Sequence, residues 1–423
     1  MQKNHKKTFQ KQSVPGALLA TLIAVIPTVN ALGFDNNIEN ALKFGQEDAK
    51  YGQVTFDLRY RYEYADTKST KPRPAHANTF RLRLGYLTPE FHGLQGFAEY
   101  ETLYAAQNDY NGVTSGDKRH HVVVDPADKH ELNQLWITYK GIPDTEIKGG
   151  RQRIVLDDAR FIGNVGWRQM EQTFDSVMVT NTSIPSLTAM GGYIGRAKNI
   201  FSRQDNLEAP FVNFSYKFGD YATATGYGYW LKFVDDKANF GKSNRTYGIA
   251  LNGSPKLSDK VGLHYTAEYS YQEDHGNNPV SYEAHRYNLM AGATVFGITA
   301  KAGIESLGSD GNKKAFITPL GTNHKFQGWA DRFLATPATG IRDITFTLSG
   351  KLMGTKLMFV YHNFQDDGGD IDYGNEFDFL VKKKLGDHYY VLAKYAYYVG
   401  DDDAPGPFKN DTQKIWMEAG VSF

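Results

Sequence analysis

The side chains best equipped for chemistry crowd into one stretch, Gly150–Ser176 (GRQRIVLDDARFIGNVGWRQMEQTFDS), which carries Arg151, Arg153, Arg160 and Arg168 among Asp157, Asp158, Glu171 and Asp175. A guanidinium is a permanently charged, planar fork of donors that grips carboxylates and hydrogen-bonds sugar hydroxyls. The same stretch holds Ile154, Val155, Leu156, Phe161, Ile162, Val165 and Trp167. A loop bathed only in water has little use for so much apolar surface, so this one is predicted to fold against a wall. A second basic set, Arg59, Arg61, Arg81 and Arg83, lies upstream with Asp57, Glu63, Glu99 and Glu101 near it. Together these groups suit electrostatic selection of a solute. In the alternative, the loop arginines only brace their own segment by pairing with Asp157, Asp158, Glu171 and Asp175.

Bond-making chemistry finds little support. There is no phosphate loop, no G-x-S-x-G elbow and no H-E-x-x-H pair. Lys118-Arg119-His120-His121 lacks a clear third metal ligand, and Asp366–Asp372 (DDGGDID) lacks the closing Glu of a calcium loop. His264 and Glu268 share one strand face, where polar residues are the default. The expectation is a protein that is no enzyme and uses no cofactor or metal.

The elements that must position these residues announce themselves by a period of two. In Val54–Tyr64, Phe56, Leu58, Tyr60, Tyr62 and Tyr64 alternate with Thr55, Asp57, Arg59, Arg61 and Glu63. On a helix both sets would mix on every face, so the segment reads as a strand with one apolar and one charged side. Phe80, Leu82, Leu84 and Tyr86 repeat the pattern against Thr79, Arg81 and Arg83. About 18 such strands of roughly ten residues follow, the length that crosses a bilayer at a tilt. They begin near Val54, Ala77, Leu94, Glu131, Thr145, Glu171, Leu187, Glu208, Tyr221, Asn244, Lys260, Glu283, Gly297, Ile341, Thr355, Tyr373, His388 and Asp411. Short connections such as Gly141–Asp144 and Gly386-Asp387 alternate with long ones at Tyr104–His130, Gln152–Met170, Lys198–Asn206, Gly308–Gly340 and Gly400–Asn410. That parity predicts an all-β, antiparallel transmembrane barrel with short turns at the periplasmic end and long loops outside.

Composition agrees. The 423 residues include 27 Tyr and 26 Phe, yet mean hydropathy is −0.50, as expected when water-facing residues dilute lipid-facing ones along every strand. The 47 basic and 47 acidic side chains balance, which argues against a nucleic-acid partner. There is no cysteine, hence no disulfide framework or thiolate site. At the start, Lys3, Lys6, Lys7 and Lys11 precede the apolar run Ala17–Ile26 and the small residues of Val29-Asn30-Ala31. This reads as a cleaved signal peptide over residues 1–31, followed by a short periplasmic segment, 32–52, and the barrel, 53–423.

The chain ends on Ile415, Met417, Ala419, Val421 and Phe423 alternating with Lys414, Trp416, Glu418, Gly420 and Ser422. A terminal aromatic behind such alternation resembles the signal by which bacterial barrels are assembled. At Gly150, Arg151, Gln152, Arg160, Trp167, Arg168, Phe174 and Asp175 the sequence resembles the alginate-export type of outer-membrane barrel. That resemblance implies 18 strands, a Gram-negative outer membrane and a loop constricting the lumen. The implied partners are outer-membrane lipid and lipopolysaccharide, the barrel-assembly machinery reading Phe423, and a small polar solute. The expected constriction comprises Arg151, Arg153, Asp157, Asp158, Arg160 and Arg168, with Arg59, Arg61, Arg81, Arg83, Glu99 and Glu101 on the wall. Such a mixture makes a transverse field in a neutral lumen, unlike the strongly positive tunnel of a dedicated polyuronate exporter. Passive diffusion of small hydrophilic solutes, including anionic sugars or oligosaccharides, is the expected function. The alternatives are an exporter of an acidic polysaccharide such as alginate, and a structural or adhesive barrel.

Overall fold

The computed structural model describes residues 32–68, 73–112, 119–121 and 128–423. The expected signal peptide and Lys118 lie outside them. Nineteen strands form one antiparallel sheet, and one of these, Lys256–Ser258, is a three-residue extension. The other eighteen form the wall: β1 (Gln53–Thr67), β2 (Ala75–Leu87), β3 (Leu94–Asp109), β4 (Lys129–Ile142), β5 (Thr145–Gln152), β6 (Thr173–Asn181), β7 (Leu187–Lys198), β8 (Gln204–Phe218), β9 (Ala222–Phe233), β10 (Asn244–Gly253), β11 (Val261–Asp274), β12 (Glu283–Val295), β13 (Ile298–Leu307), β14 (Ile341–Leu352), β15 (Thr355–Gln365), β16 (Asp372–Leu385), β17 (Tyr389–Gly400) and β18 (Thr412–Ser422). Each pairs with its neighbour in sequence, and β18 returns to β1 with Asp57 opposite Ser422 and Thr67 opposite Thr412. Closure leaves no wall strand with an unpaired edge, which is what lets strands cross a hydrocarbon layer.

The alternation divides the two faces as expected. Along β1, Arg59, Arg61 and Glu63 are buried toward the lumen. On the outer face of β2, Phe80, Leu84 and Tyr86 stay exposed, and Leu135, Ile137, Phe214, Ile249, Leu289, Phe346 and Phe379 continue the apolar belt on other strands. Aromatic rings directly opposite each other tighten that belt: Tyr60 meets Phe80 at 5.1 Å, Tyr269 meets Tyr287 at 5.3 Å and Phe359 meets Phe379 at 5.0 Å between centroids. Among the described residues no helix is long and apolar enough to span a membrane.

The shortest connections, Pro143-Asp144, Phe296-Gly297, Met353-Gly354 and Gly386–His388, fall at one end of the barrel, where β1 begins and β18 finishes. There the backbone of Phe423 donates to Phe56 O at 2.8 Å and its ring stacks on His388 at 4.2 Å. Helix α1 (Leu32–Leu42) is tied to the same end by Tyr389 donating to Asp35 at 2.8 Å and by His388 against Glu39 at 2.8 Å. The sixth strand starts at Thr173 rather than near Glu171, because Glu171 turns into the lumen to meet arginines.

One expectation is corrected. Gly308–Gly340, taken as an external loop, folds into the barrel: Phe316, Leu320, Ala330 and Phe333 are buried in one core with Phe364, Tyr373, Tyr398 and Trp416 of the wall. The physical reason is the one that holds for Gln152–Met170, since bulky apolar side chains on a loop seek cover.

Candidate functional site

Two inward loops meet in the lumen, and two glycines set how close they come. Gly163 N donates to Leu320 O at 3.0 Å, Thr322 N donates to Ala159 O at 2.9 Å, and Gln172 Nε2 bridges Gly163 O and Leu320 O. A Cβ on Gly163 would sit 2.3 Å from Thr322 Oγ1, and one on Gly321 would sit 2.2 Å from Arg160 O. Any other residue at these positions would force the loops apart.

The first loop is tied to the wall through β1 and β2. Arg59 Nε donates to Gln169 Oε1 at 2.7 Å, and its fork also reaches the carbonyls of Gly166 and Arg168. Arg61 donates to Glu418 Oε1 at 2.6 Å and to Trp167 O, while its guanidinium lies 4.4 Å from the Trp167 ring centroid. Arg81 pairs with Asp57, and Arg83 with Glu101 and Glu171. Arg153 spans Glu99 at 2.9 Å and Glu171 at 2.6 Å. Burial alone would push the Glu171 carboxyl up, but Arg83 and Arg153 outweigh it and hold it below the usual range.

The remaining predicted residues divide between the two loops and the outside. Arg160 contacts Glu305 of β13 at 3.0 Å and Gln327 of the second loop at 2.9 Å. Arg168 donates to Asp331 of that loop at 2.9 Å. Asp157 accepts from Asn213 at 2.8 Å, and Asp158 accepts from the Arg160 backbone at 3.0 Å. Arg151 departs from expectation. It stands opposite Leu135, on the face where Leu135 is exposed, and pairs with Asp175 at 2.7 Å and with the Leu132 carbonyl. Strand alternation sends Gln152 inward and Arg151 outward, so Arg151 does not line the lumen. The weaker motifs do not assemble: His264 bonds Thr294 and Ser254, whereas Glu268 bonds Tyr227 and Arg286.

Sequence reasoning missed the centre of the site. Asp331 takes Arg168, His324 Nδ1 at 2.6 Å and Lys414 at 2.8 Å. On its other side His324 Nε2 lies 2.8 Å from Lys394 Nζ. An imidazole that donates at Nδ1 and accepts an ammonium hydrogen at Nε2 is neutral, so its contact with Asp331 is a hydrogen bond rather than an ion pair. The Lys394 ammonium sits among Trp329 (3.8 Å), Trp167 (4.3 Å) and Trp416 (5.4 Å), one ring from each loop and one from β18. Beside it Glu376 and Asp378 of β16 accept the backbone N–H groups of Ala330 and Trp329. The aromatic residues Phe326, Trp329 and Phe333 spaced along a long loop were the signal that could have found this cluster.

Toward the long-loop end, Arg168, Gln172, Asn199, Phe201, Lys242 and His324 help line a cavity of about 230 Å³. Among the buried charges of the wall, six cations lie on four consecutive strands, β17, β18, β1 and β2, as Lys394, Lys414, Arg59, Arg61, Arg81 and Arg83, against two acids there, Glu63 and Glu418. Carboxylates flank them: Glu99, Glu101 and Glu131 on β3 and β4, then Glu305, Asp343, Glu376 and Asp378 on β13 to β16.

A closed eighteen-strand wall with an apolar outer belt, a charged lumen and inward loops defines the class as an outer-membrane-type transmembrane β-barrel. Within it, the alginate export family matches residues 50–187, about a third of the chain. No curated protein sequence matches. Among solved structures the chain is similar to OccK9 (OpdG) of Pseudomonas aeruginosa, with a TM-score of 0.69 and 15% identity over 88% of this chain and 98% of that one. OccAB2 of Acinetobacter baumannii gives 0.67 and 14% over 88% and 98%. OpdK of Pseudomonas aeruginosa, solved with vanillate, gives 0.64 and 14% over the same shares. At these identities the likeness is one of fold.

Proposed function

We propose that this chain is an outer-membrane channel through which small hydrophilic solutes diffuse passively, with anionic ones, such as sugar acids or oligosaccharides, favoured. The observation that carries this reading is the excess of buried cations over acids on β17, β18, β1 and β2, set against carboxylates on both sides, within a lumen narrowed by two loops. A small anion crossing such a field is oriented and attracted without being trapped. The long-loop end then faces outward and the short turns face the periplasm, after export and removal of residues 1–31. Lipid and lipopolysaccharide surround the apolar belt, and the assembly machinery engages the terminal strand. That a structural relative was solved with vanillate, an aromatic carboxylate, is consistent with a carboxylate cargo.

One observation favours a second reading. The lumen is packed by Trp167, Trp329, Phe333 and Trp416, which suits a sealed, structural barrel. Planar-bilayer recordings of the purified protein decide between them. Discrete conductance steps with a reversal potential displaced toward the anion support the channel, and a silent bilayer at high protein load sinks it.

A further inference from the structure

The charges of the central lumen are largely matched, but those near the short-turn end are not. On β14, β15 and β16, Lys351 stands directly opposite Lys356, and Lys356 directly opposite Lys382. Register places all three on the lumen face, because the same alternation carries Asp343 on β14, His362 on β15 and Glu376 and Asp378 on β16, all buried. Lys384 follows Lys382 on that face, and Lys301 of β13 shares it and feels the Lys356 charge. None of the five makes an ion pair or side-chain hydrogen bond among the described residues. Their one cation–ring contact among the described residues is Lys382 Nζ at 4.7 Å from the Tyr390 ring centroid. By contrast Arg61, Arg83, Arg153, Arg160 and Arg168 each meet a carboxylate. The nearest acids on the same strands, Asp378 and Glu305, lie four residues from Lys382 and Lys301, about 13 Å at the rise of a strand, and Glu418, level with Lys382 two strands away at about 10 Å, is taken by Arg61.

Like charges at directly opposed positions destabilise a sheet. A row of three on one concave face, with no acid interposed, is a local cost that a bound counter-charge would relieve. Ammonium groups act as point charges rather than planar forks, so such a row discriminates by the number of charges on its ligand more than by its shape. We infer that the short-turn mouth of the lumen is a binding site for small polyvalent oxyanions, held by Lys351, Lys356 and Lys382 with Lys301 and Lys384 adding to the field. The inference deepens the channel reading by naming the charge of a solute, yet it concerns binding rather than flux, so the two can fail separately.

The test is calorimetric titration of the detergent-solubilised full chain, at fixed ionic strength, with pyrophosphate, succinate and acetate. The polyanions bind and acetate is at least about tenfold weaker. The double variant K356Q/K382Q weakens polyanion binding by about tenfold or more, while K356R/K382R retains it. Because the glutamines remove repulsion, that variant keeps its fold and its heat-modified gel shift moves to higher temperature. The ratio of pyrophosphate to succinate affinity distinguishes a phosphate from a carboxylate ligand. Equal polyanion affinity in wild type and K356Q/K382Q, or acetate binding as tightly as succinate, overturns the site.

Discussion

Asp331 is where single side chains decide the state of the lumen. Burial would push its carboxyl up, but Arg168, His324 and Lys414 outweigh that and hold it well below the usual range. His324 behaves oppositely: burial, with Lys394 adding to it, holds its imidazole well below the ordinary histidine range, though Asp331 pulls the other way. The sign follows from linkage. A histidine kept neutral in the docked loop takes up a proton once the loop is undocked and wet, so docking is favoured at neutral pH and weakens as pH falls below about 6.5. Asp331 contributes no change until far lower pH. Between pH 7.5 and 5.5 the docked-to-undocked ratio of Gly308–Gly340 should fall about tenfold, read as faster protease cleavage in that loop. His324→Gln should abolish the response, and a wild-type cleavage rate unaffected by pH would refute this role. Asp331→Asn strips Arg168 and Lys414 of their shared counter-charge and should weaken docking by about 3–5 kcal/mol, giving rapid cleavage at every pH.

At the scale of elements, the two ends of the barrel and its last strand make separate predictions. An epitope placed in the described external residues 119–121 should be reached by antibody on intact cells. Epitopes in the short turns Gly141–Asp144 and Gly386-Asp387 should be hidden. One placed at Phe316–Phe333 should also be hidden, because that segment is packed among wall residues. Labelling at Gly386-Asp387 would invert the barrel. Phe423 closes the wall through backbone bonds to Phe56, and its ring rests on His388. Phe423→Asp retains the backbone bonds yet sets a charge at the apolar rim, so folded, heat-modifiable protein should be reduced at least about tenfold while synthesis continues. Unchanged heat-modifiable migration would show that the terminal ring plays no part in assembly.

For the whole molecule, the lumen is a balanced electrolyte of fixed charges, and removing one sign reveals the other. The triple variant Arg153→Gln, Arg160→Gln and Arg168→Gln leaves Glu99, Glu171, Glu305 and Asp331 short of partners. Both loops should loosen and total conductance should rise, while the reversal potential moves toward cations because the freed carboxylates remain. The wall, held by strand pairing, should still insert. A rise in conductance with an unchanged anion-to-cation ratio would leave these arginines as braces only.

The sequence alone determined the wall, because a strand whose two sides face lipid and water must alternate, and that period of two survives whatever lies elsewhere in the chain. Hence all eighteen strands were legible to within a few residues, as was the inward turn of the first loop from its misplaced apolar residues. Tertiary structure alone decided the pairing of charges. Arg168 with Asp331 and Arg61 with Glu418 join residues far apart in the chain, and no local pattern encodes which carboxylate an arginine meets across a lumen. The face occupied by Arg151 was lost for a subtler reason: one residue of register reverses a side chain, and the composition of a strand end on a folded-in loop does not say where the strand stops.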